Sequence, residues 1–289
     1  MTPTNPPSEP TPPRVTAIVA SYNNVEALRR SIAALDGSKS REALEILVVD
    51  KGSRDGSESI DSEFPHITML RLPRNFGTSK ALNVGMRTAA ADLVFFVAPE
   101  VEVQPDTVTR LADRLEHDSD AVAVCPILNK EDQFYRLPTP QTGTDLQPVN
   151  VAGSTSEDAT PVEGATFDAM MASKYFIRGI NFLDEKFGEY WSDVDLCFQI
   201  RRAGKRVLAL PHVKCTYTPR PERFPESALR LLESDRIAGA TRCFSKYYGF
   251  FSGFIFRLTS ALKAFFSFRL GLFSAILSGR KVDGTQSEL

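Results

Sequence analysis

The chain has 289 residues, of which 42% are hydrophobic and 24% charged, and its formal net charge is −2. These values are close to those of ordinary globular proteins, and they exclude wholesale disorder, a collagen-like repeat and a polytopic membrane protein. A chain of this length forms one large domain or two small ones. The four cysteines lie far apart without metal-ligand spacing, so no disulfide framework is expected and a reducing cytoplasm is indicated.

The first 14 residues are rich in proline and contain almost no apolar side chains. Such a segment buries too little surface to offset the entropy lost on ordering, so residues 1–14 are predicted to be a disordered arm. No long apolar run lies near the start of the chain, and no secretory signal is expected.

Short apolar runs alternate with helical periodicity from residue 15 onward. Strands are predicted at residues 15–20, 44–49, 67–72, 93–97, 121–125 and 206–210. Apolar positions three or four residues apart predict helices over residues 28–35, 82–89, 108–115 and 196–203. Strands without a polar face that alternate with helices indicate a mostly parallel sheet covered on both faces, which is an α/β fold. Residues 129–163 interrupt the alternation and are predicted to form a long loop.

Polar residues follow four successive predicted strands, at residues 21–24, 50–57, 73–77 and 99–102. Turn chemistry alone explains Gly, Asp, Asn and Ser in any one of these loops. In an open parallel sheet, however, ligands bind outside the carboxyl ends of the strands. Four polar loops on the same edge therefore favour a ligand site there.

The order of the motifs resembles that of the family-2 glycosyltransferases with a GT-A fold. Residues 17–23 (AIVASYN) resemble that family's opening strand and nucleotide loop, and residues 46–57 (ILVVDKGSRDGS) resemble its VVDNGSxDGS element. Residues 75–85 are similar to its NxGxxxAxNxG element, and residues 182–187, 192–197 and 201–204 to its acceptor-side block. The resemblance spans about residues 15–218. It implies a Rossmann-like sheet with helices on both faces and an enzyme that transfers a hexosyl or deoxyhexosyl group.

The resemblance implies a nucleotide-diphosphate-sugar donor. Asp50 is placed to accept hydrogen bonds from the nucleoside, Tyr22 to cover the base, and Lys80 to face the diphosphate at a helix start. A turn or capping aspartate is the alternative for Asp50. The full predicted donor site comprises Ser21, Tyr22, Asn23, Asp50, Gly52, Ser53, Gly77 and Lys80.

A divalent cation, Mg²⁺ or Mn²⁺, suits a leaving diphosphate because both ions prefer oxygen ligands. The family carries a DxD-like motif after the fourth strand, where this chain has Ala98, Pro99 and Glu100. Glu100 and Glu102 are therefore the predicted metal ligands, with a solvated acidic turn as the alternative. Family members often have a further His ligand beyond the last strand, and Tyr217 stands at that position.

An inverting transfer needs a carboxylate that deprotonates the acceptor hydroxyl. Asp193 occupies the place of the aspartate in the family's Glu-Asp motif, whereas Ser192 replaces the Glu. Asp193 is the predicted catalytic base, and a helix N-terminal acid is the alternative. Asp195 is expected to cap the following helix. Asp184, Glu185 and Trp191 are predicted to shape the acceptor side.

The C-terminal part of the chain is basic and aromatic. Residues 236–282 contain no Asp or Glu but eight Lys or Arg, and residues 249–277 hold eight of the 20 Phe. Charges at positions 257, 263 and 269 interrupt any span long enough to cross a membrane. Residues 219–289 are predicted to form an amphipathic helical tail on an anionic membrane surface, with a core-packing helix pair as the alternative. Its predicted apolar arc comprises Phe254, Leu258, Ala261, Leu262, Phe265, Leu272 and Ile276.

These observations predict a glycosyltransferase at residues 15–218 that uses a nucleotide-sugar donor and a glycan or lipid-linked acceptor, with inversion. The tail would place it at the cytoplasmic face of the cell membrane, in cell-surface polysaccharide synthesis, and no nucleic-acid partner is expected. One alternative is a non-catalytic nucleotide- or glycan-binding member, motivated by Ala98, Ser192 and Tyr217. Another is a nucleotidyltransferase, which the lack of a Gly-rich, basic loop directly after the first strand disfavours.

Overall fold

The computed structural model describes residues 12–151, 158–220 and 224–285. Most of the predicted arm, residues 1–11, therefore lies outside the described residues. Of its last three residues, Arg14 forms ion pairs with Asp113 and Glu116 at 2.6 Å each. These pairs attach the beginning of the described chain to a surface helix.

Two sheets form in the described residues. Their strands are β1 (Val15–Ser21), β2 (Leu44–Asp50), β3 (Thr68–Arg71), β4 (Leu93–Val97), β5 (Val101–Glu102), β6 (Ala121–Leu128), β7 (Phe134–Arg136), β8 (Gln147–Pro148), β9 (Thr160–Val162), β10 (Gly164–Ala165), β11 (Ala169–Ser173) and β12 (Arg206–Tyr217). The large sheet runs in the order β3-β2-β1-β4-β11-β6-β12-β5, and β9 also pairs with β12. Strands β10, β7 and β8 form the small sheet.

The principal strands of the large sheet are parallel, which confirms the predicted α/β class. β1 pairs in parallel with β2 and β4, β2 with β3, and β6 with β12. The short strands β5 and β9 pair antiparallel with β12, and within the sheet β11 runs antiparallel between β4 and β6. An antiparallel strand begins at the edge where its parallel neighbours end. The residues just before β11 therefore join the loops at the carboxyl ends of β1 and β4.

Helices cover both faces of the large sheet. The α-helices of the described residues are α1 (Val25–Asp36), α2 (Thr78–Thr88), α3 (Thr107–His117), α4 (Lys174–Gly179), α5 (Ser192–Arg202), α6 (Glu226–Tyr248), α7 (Phe250–Phe266) and α8 (Leu270–Ser278), of which α7 and α8 pack on α6 and on each other. Successive residues of a strand point to opposite faces. In β1, Ile18 packs in one core with Met86 of α2, and Val19 packs in the other with Ile32 of α1. Both strand residues are fully buried, so this strand has no polar face.

Three predicted elements have different bounds in the structure. The predicted loop at residues 129–163 contains β7, β8 and β9, while its residues 152–157 lie outside the described residues. Helix α5 begins at Ser192 rather than at residue 196, and acidic side chains in a first helical turn favour that start. Strand β12 continues to Tyr217 through an irregularity between Leu210 and Lys214.

Helix α6 packs into the body of the protein and is not part of a separate tail. Cys243 and Phe244 are fully buried in the core, and the Phe244 ring meets the Trp191 ring edge-on with centroids 5.7 Å apart. Gly239 lies so close to Trp191 that an added Cβ would come within 2.7 Å of its ring. The predicted boundary at residue 219 therefore has to be corrected, because it would separate α6 from the core that it completes.

A buried carboxylate fixes α6 to two other parts of the chain. Asp235 accepts hydrogen bonds from the backbone amides of Glu189 at 2.9 Å, Tyr190 at 3.2 Å and Val282 at 2.8 Å. Its side chain is 1% exposed. One carboxylate thus holds the segment that enters α5 and the segment that follows α8.

Helices α7 and α8 divide the predicted apolar arc into two parts. Ala261, Leu272 and Ile276 are buried between the helices, together with Ala264. The other members of the arc, Phe254, Leu258, Leu262 and Phe265, are exposed. None of the helices within the described ranges is both long enough and apolar enough to cross a membrane.

We predict that Asp235→Ala lowers the free energy of unfolding by roughly 2–4 kcal/mol, because it leaves three backbone amides without their acceptor. Chemical denaturation measures this loss. Glu233→Ala is the matched control on the same helix, since Glu233 forms an exposed pair with Arg269 and exposed pairs contribute about 1 kcal/mol or less. Equal, small losses in the two variants would contradict the structural role of Asp235.

Candidate functional site

A cavity of about 670 Å³ opens at the carboxyl ends of β1 and β4. Its volume is in the range of small-molecule sites. The wall includes the loops after β1 and β4, the segment before β11, the segment that enters α5, and the cavity-facing side of α6. The edge of the sheet predicted from the polar loops is therefore the edge where the structure forms its cavity.

The loop after β1 contributes two side chains to the cavity wall, those of Tyr22 and Asn24. Burial raises the pKa of the Tyr22 phenol. The neighbouring Asn23 instead joins two loops. Its backbone N–H donates to Ser53 Oγ at 2.9 Å, and its side-chain Oδ1 accepts from the Arg54 backbone amide at 2.8 Å. Ser21 is fully buried at the end of β1. Of the predicted donor residues in this loop, only Tyr22 lines the cavity.

The loop after β2 is held by the Asp50 carboxylate. Asp50 is 2% exposed and accepts from the backbone amides of Gly52 at 3.3 Å and Ser53 at 3.2 Å. Burial raises the pKa of this carboxyl despite these bonds. Gly52 has φ +83°, and an added Cβ would lie 2.7 Å from Arg74 Cα. These three residues shape the loop without lining the cavity, which is the turn arrangement considered as the alternative for Asp50.

Lys51 is the residue of this loop that reaches the cavity, and the sequence interpretation did not select it. Its buried Nζ lies 2.6 Å from Glu189 Oε1 and 3.2 Å from Thr78 Oγ1. All three residues line the cavity. A sequence signal for Lys51 was available, because it stands in VVDKGS at the position where the family element has Asn. Lys80, predicted to face the diphosphate, instead lies 4.1 Å from the centroid of the Phe76 ring and outside the wall.

Asp193 lies in the first turn of α5 and lines the cavity. Its Oδ1 accepts a hydrogen bond from the Val194 amide at 2.8 Å. Desolvation raises the pKa of Asp193 to about 6, the negative charge of Asp168 adds to this shift, and the Lys130 ammonium opposes it. A carboxylate with this pKa is ionised at neutral pH and more basic than an ordinary aspartate, as a general base requires.

Trp191 also lines the cavity, with its backbone in the left-handed region at φ +79°. Such a conformation costs a bulky residue free energy and persists only where the surroundings impose it. Here the ring is 4% exposed, against Phe244. The strained turn sets the start of α5 and with it the position of Asp193.

The other predicted acceptor-side residues lie outside the cavity wall. Asp184 pairs with Arg242 of α6. Glu185 accepts from Asn83 at 3.0 Å and Arg87 at 3.2 Å, both on α2. These bonds dock the loop before α5 onto α2 and α6, so the two carboxylates act as structural contacts in this fold.

Asp195 does not cap the helix as expected. It lies inside α5, is 1% exposed, and accepts from Lys246 Nζ at 2.6 Å and the Tyr247 hydroxyl at 2.7 Å. Both partners belong to α6. The carboxylate therefore ties α5 to α6, because the helix begins four residues earlier than predicted.

The predicted metal ligands are not brought together. Glu100 lines the cavity and accepts from Asn24 Nδ2 at 2.6 Å, whereas Glu102 pairs with Arg30 at 3.0 Å and does not line it. Residues 12–151, 158–220 and 224–285 contain no group of three or more His, Cys, Asp or Glu side chains that could hold a metal ion. No preformed divalent-cation site is therefore present among these residues, and the assignment of Glu100 and Glu102 as a ligand pair is corrected, because only Glu100 of the two lines the cavity.

Cationic side chains line the cavity instead, namely Lys51, Lys130, Arg220 and Arg236. The Arg220 guanidinium donates to the backbone carbonyls of Tyr22 at 3.0 Å and Asn23 at 2.8 Å. Arg236, on α6, donates to the Thr144 carbonyl at 3.0 Å. The sequence interpretation selected none of these four. Lys51 stands in a family element where Asn is usual, and the other three come from distant segments that match no quoted family motif. The arrangement can hold an anionic ligand beside the Asp193 carboxylate.

Comparison with known families and curated proteins identifies relatives of the chain. The sequence profile described as Glycosyl transferase family 2 matches residues 16–177. The undecaprenyl-phosphate 4-deoxy-4-formamido-L-arabinose transferase of Sodalis glossinidius (strain morsitans) is 31% identical over 132 residues. That match covers 43% of the chain and 40% of the relative. The chain thus matches less than half the length of this curated protein.

Two solved structures share the fold. One is the crystal structure of GalNAc-T7 with UDP, GalNAc and Mn²⁺, with a TM-score of 0.62 and 11% identity over 83% of this chain and 53% of the other. The second is the mannosyltransferase PcManGT from Pyrobaculum calidifontis in complex with GDP-Man and Mn²⁺. Its TM-score is 0.58, with 17% identity over 95% of this chain and 77% of the other. These likenesses confirm the predicted GT-A fold.

We predict that Gly77→Ala destabilises the fold by at least about 2 kcal/mol more than Gly204→Ala. Gly77 has φ +87° and ψ 165°, a region used almost only by glycine, and an added Cβ would lie 2.6 Å from the Gly188 backbone. Gly204 also has a positive φ, at +67°, but nothing lies within 4 Å of the added Cβ. Thermal and chemical denaturation of both variants compares the two costs. Equal losses would show that the Gly77–Gly188 contact imposes no constraint.

Proposed function

The chain belongs to glycosyl transferase family 2, and we propose that it transfers a sugar from a nucleotide-diphosphate-sugar donor to a lipid-linked acceptor with inversion. The observation that carries the proposal is the placement of Asp193, a carboxylate with a pKa of about 6, in a cavity that cationic side chains also line. A general base and a site for an anionic leaving group thus share one wall.

The Asp193 carboxylate accepts the proton of the acceptor hydroxyl in the proposed reaction. The hydroxyl oxygen forms a bond to the anomeric carbon while the bond from that carbon to the diphosphate oxygen breaks. The nucleoside diphosphate leaves with the bonding electron pair. Attack from the face opposite the leaving group inverts the configuration, which requires a base on the acceptor side.

The donor is held in this proposal by the cavity side chains and by the loops behind them. Tyr22 covers the base, and Arg220 and Arg236 face the anionic diphosphate. The loops behind the cavity wall support donor binding, and they are shaped by Ser21, Asn23, Asp50, Gly52, Ser53 and Gly77. Lys80 supports donor binding through its contact with Phe76. The sequence predicts Mg²⁺ or Mn²⁺ as cofactor, but the described residues form no preformed group of ligands for such an ion. No step is assigned to a metal.

The acceptor proposal rests on the exposed side of α7. Apolar side chains three or four residues apart form one stripe on this helix, and large apolar residues rarely cluster on the surface of a monomer without a function. Phe251 and Phe266 are 75% and 73% exposed. This stripe comprises Phe251, Phe254, Ile255, Leu258, Leu262, Phe265 and Phe266.

The stripe lies on the most basic part of the chain, and α6 connects that part to the cavity. Leu232 and Arg236 of α6 line the cavity, and α7 begins two residues after α6 ends at Tyr248. We assign the stripe to an anionic membrane surface at the cytoplasmic face, with basic residues on the headgroups. The name of the curated relative, an undecaprenyl-phosphate transferase, supports a lipid-linked acceptor and a role in cell-surface polysaccharide synthesis.

We predict that Asp193→Asn lowers turnover by roughly 10²–10⁴-fold and leaves nucleotide binding intact, because it removes the base but keeps the shape of the side chain. In the wild type, turnover rises with pH through about 6, since the base works only when deprotonated and its pKa is raised to that value. In Asp193→Asn this rise is absent. Transfer from nucleotide sugars, assayed between pH 5 and 8, measures both effects.

The control for this experiment is Asp120→Asn, an exposed aspartate just before β6. Its pH profile should match that of the wild type. If Asp193→Asn loses nucleotide binding together with turnover, Asp193 is structural. If the wild type binds nucleotide sugars and transfers nothing under any condition, the chain is the non-catalytic member considered as the alternative.

We predict that the wild type sediments with phosphatidylglycerol vesicles at low salt and is partly released at high salt. Each Lys or Arg near the surface contributes about 1 kcal/mol, screened over a Debye length, while buried Phe side chains hold the remainder. The double variant Phe251→Glu/Phe266→Glu should stay in the supernatant. Tyr175→Glu, at an aromatic that is 83% exposed on α4, should sediment like the wild type. A wild-type chain that stays in the supernatant at low salt would end the membrane proposal.

A further inference from the structure

Lys130 lies between the two segments to which the family resemblance assigns the metal ligands. Its Nζ is 4.7 Å from the centroid of the Tyr217 ring, and Tyr217 stands where the family often has a His. The same Nζ is 2.7 Å from Asp168 Oδ2, and the backbone carbonyl of Asp168 accepts from the Ala98 amide at 2.8 Å. Ala98 stands at the first position of the DxD-like motif. The ammonium therefore contacts the Tyr217 ring directly and is linked to Ala98 through Asp168.

The carboxylate oxygens around this position already accept hydrogen bonds from protein donors. Asp168 Oδ2 accepts from Lys130 and from Thr166 Oγ1 at 2.8 Å. Asp132 lies 3.1 Å from the same ammonium. Glu100 accepts from Asn24. The Tyr217 ring presents a π face, which attracts a cation such as ammonium. This surrounding is complementary to an alkylammonium ion rather than to a divalent metal.

Lys130 stays charged in this position and faces the cavity. Its burial would lower the pKa of the ammonium, but the Asp168 and Asp132 carboxylates more than offset this and hold that pKa above its ordinary value. The side chain is 14% exposed and lines the cavity. An ammonium has three N–H donors. Two carboxylates accept from it among the described residues, which leaves one donor for a phosphate oxygen.

We propose that the Lys130 ammonium takes the place of a divalent cation at the donor diphosphate, so that this enzyme binds nucleoside diphosphates without a metal ion. The proposal rests on the proposed function, because the diphosphate is that of the sugar donor in the same cavity. Two expected metal ligands are replaced, by Ala98 and Tyr217, and a fixed cation, Lys130, contacts the Tyr217 ring and is linked to Ala98 through Asp168. Arg220 and Arg236 supply further positive charge on the same wall.

Calorimetric titration with UDP, TDP and GDP tests the proposal, each in EDTA and in Mn²⁺. At least one nucleotide should bind the wild type with the same Kd, within about 2-fold, in both buffers. In EDTA, Lys130→Met should weaken that binding by roughly 10- to 100-fold, the usual effect of losing a hydrogen bond to a charged group. Lys130→Arg, which keeps the charge, should recover most of the affinity. Lys205→Met, which removes an ammonium near the opposite end of β12, should bind like the wild type.

We also expect Lys130→Met to acquire a dependence of nucleotide binding on Mn²⁺. This substitution releases Asp168 and Asp132 from the ammonium, so Mn²⁺ should restore part of the nucleotide affinity in this variant, whereas it adds nothing to the wild type. A lysine with a merely structural role would not convert metal-independent binding into metal-dependent binding.

The outcomes separate this inference from the proposed function. If the wild type binds a nucleoside diphosphate only with Mn²⁺, the inference is overturned and the proposed function stands. Unchanged affinity of Lys130→Met in EDTA also overturns the inference alone. If none of the three nucleotides binds in either buffer, both fail. The wild-type comparison needs no variant, so a folding defect in Lys130→Met would not prevent a decision.

Discussion

The cavity depends on the hydrogen bonds that the Asp235 carboxylate accepts from three backbone amides. The carboxylate binds the amides of Glu189 and Tyr190, which lead into α5, and the amide of Val282, beyond α8. There is no room for a side chain at the neighbouring Gly188, because an added Cβ would lie 1.9 Å from Asp235 Oδ1. Through this carboxylate, α6 fixes the segment that carries Asp193 into the wall. The C-terminal helices are thereby part of the scaffold of the cavity.

The electrostatics of the cavity follow from pairing buried charges across distant segments. A buried charge is tolerated when a partner and hydrogen bonds compensate for lost hydration. Lys51 has Glu189, and Lys130 has Asp168 and Asp132. Asp193 accepts one hydrogen bond from a backbone amide and interacts with the more distant charge of Lys130. Its desolvation is therefore offset less fully, and its pKa rises to about 6. The least compensated carboxylate in this group is thus the one suited to accept a proton.

The membrane proposal and the transfer proposal share one structural element. Helix α6 contributes Leu232 and Arg236 to the cavity and continues through Gly249 into α7, whose exposed stripe is apolar. A lipid-linked acceptor has its reactive group at the headgroup level, so the enzyme must hold its cavity near the bilayer surface. A helix that forms part of the cavity wall and leads directly to the stripe of the membrane proposal meets that requirement.

The local pattern of apolar and polar residues determined the α/β class, the positions of the main strands and the polar edge at which the cavity forms. A buried parallel strand needs a continuous apolar run, and the polar residues that follow it must lie at its carboxyl end. Asp193 could also be selected from the sequence, because its motif is contiguous in the chain, and it lines the cavity. The tertiary structure alone decided which polar residues face the cavity. Lys51 and Asp50 are adjacent in sequence, yet one reaches the cavity and the other holds a turn.

The positions of Lys130 and Asp168 show why the sequence alone could not determine which charged residues share the cavity. Lys130 follows β6 and Asp168 precedes β11, and they meet because β11 runs antiparallel to β6. Strand direction depends on the path of the intervening chain, which carries no periodic signal. The same holds for Arg220, Arg236 and the exposed stripe of α7, since periodicity identifies an apolar helix face but not whether another surface covers it. Local physics therefore determined the elements and their ends, and long-range packing decided which charges share the cavity.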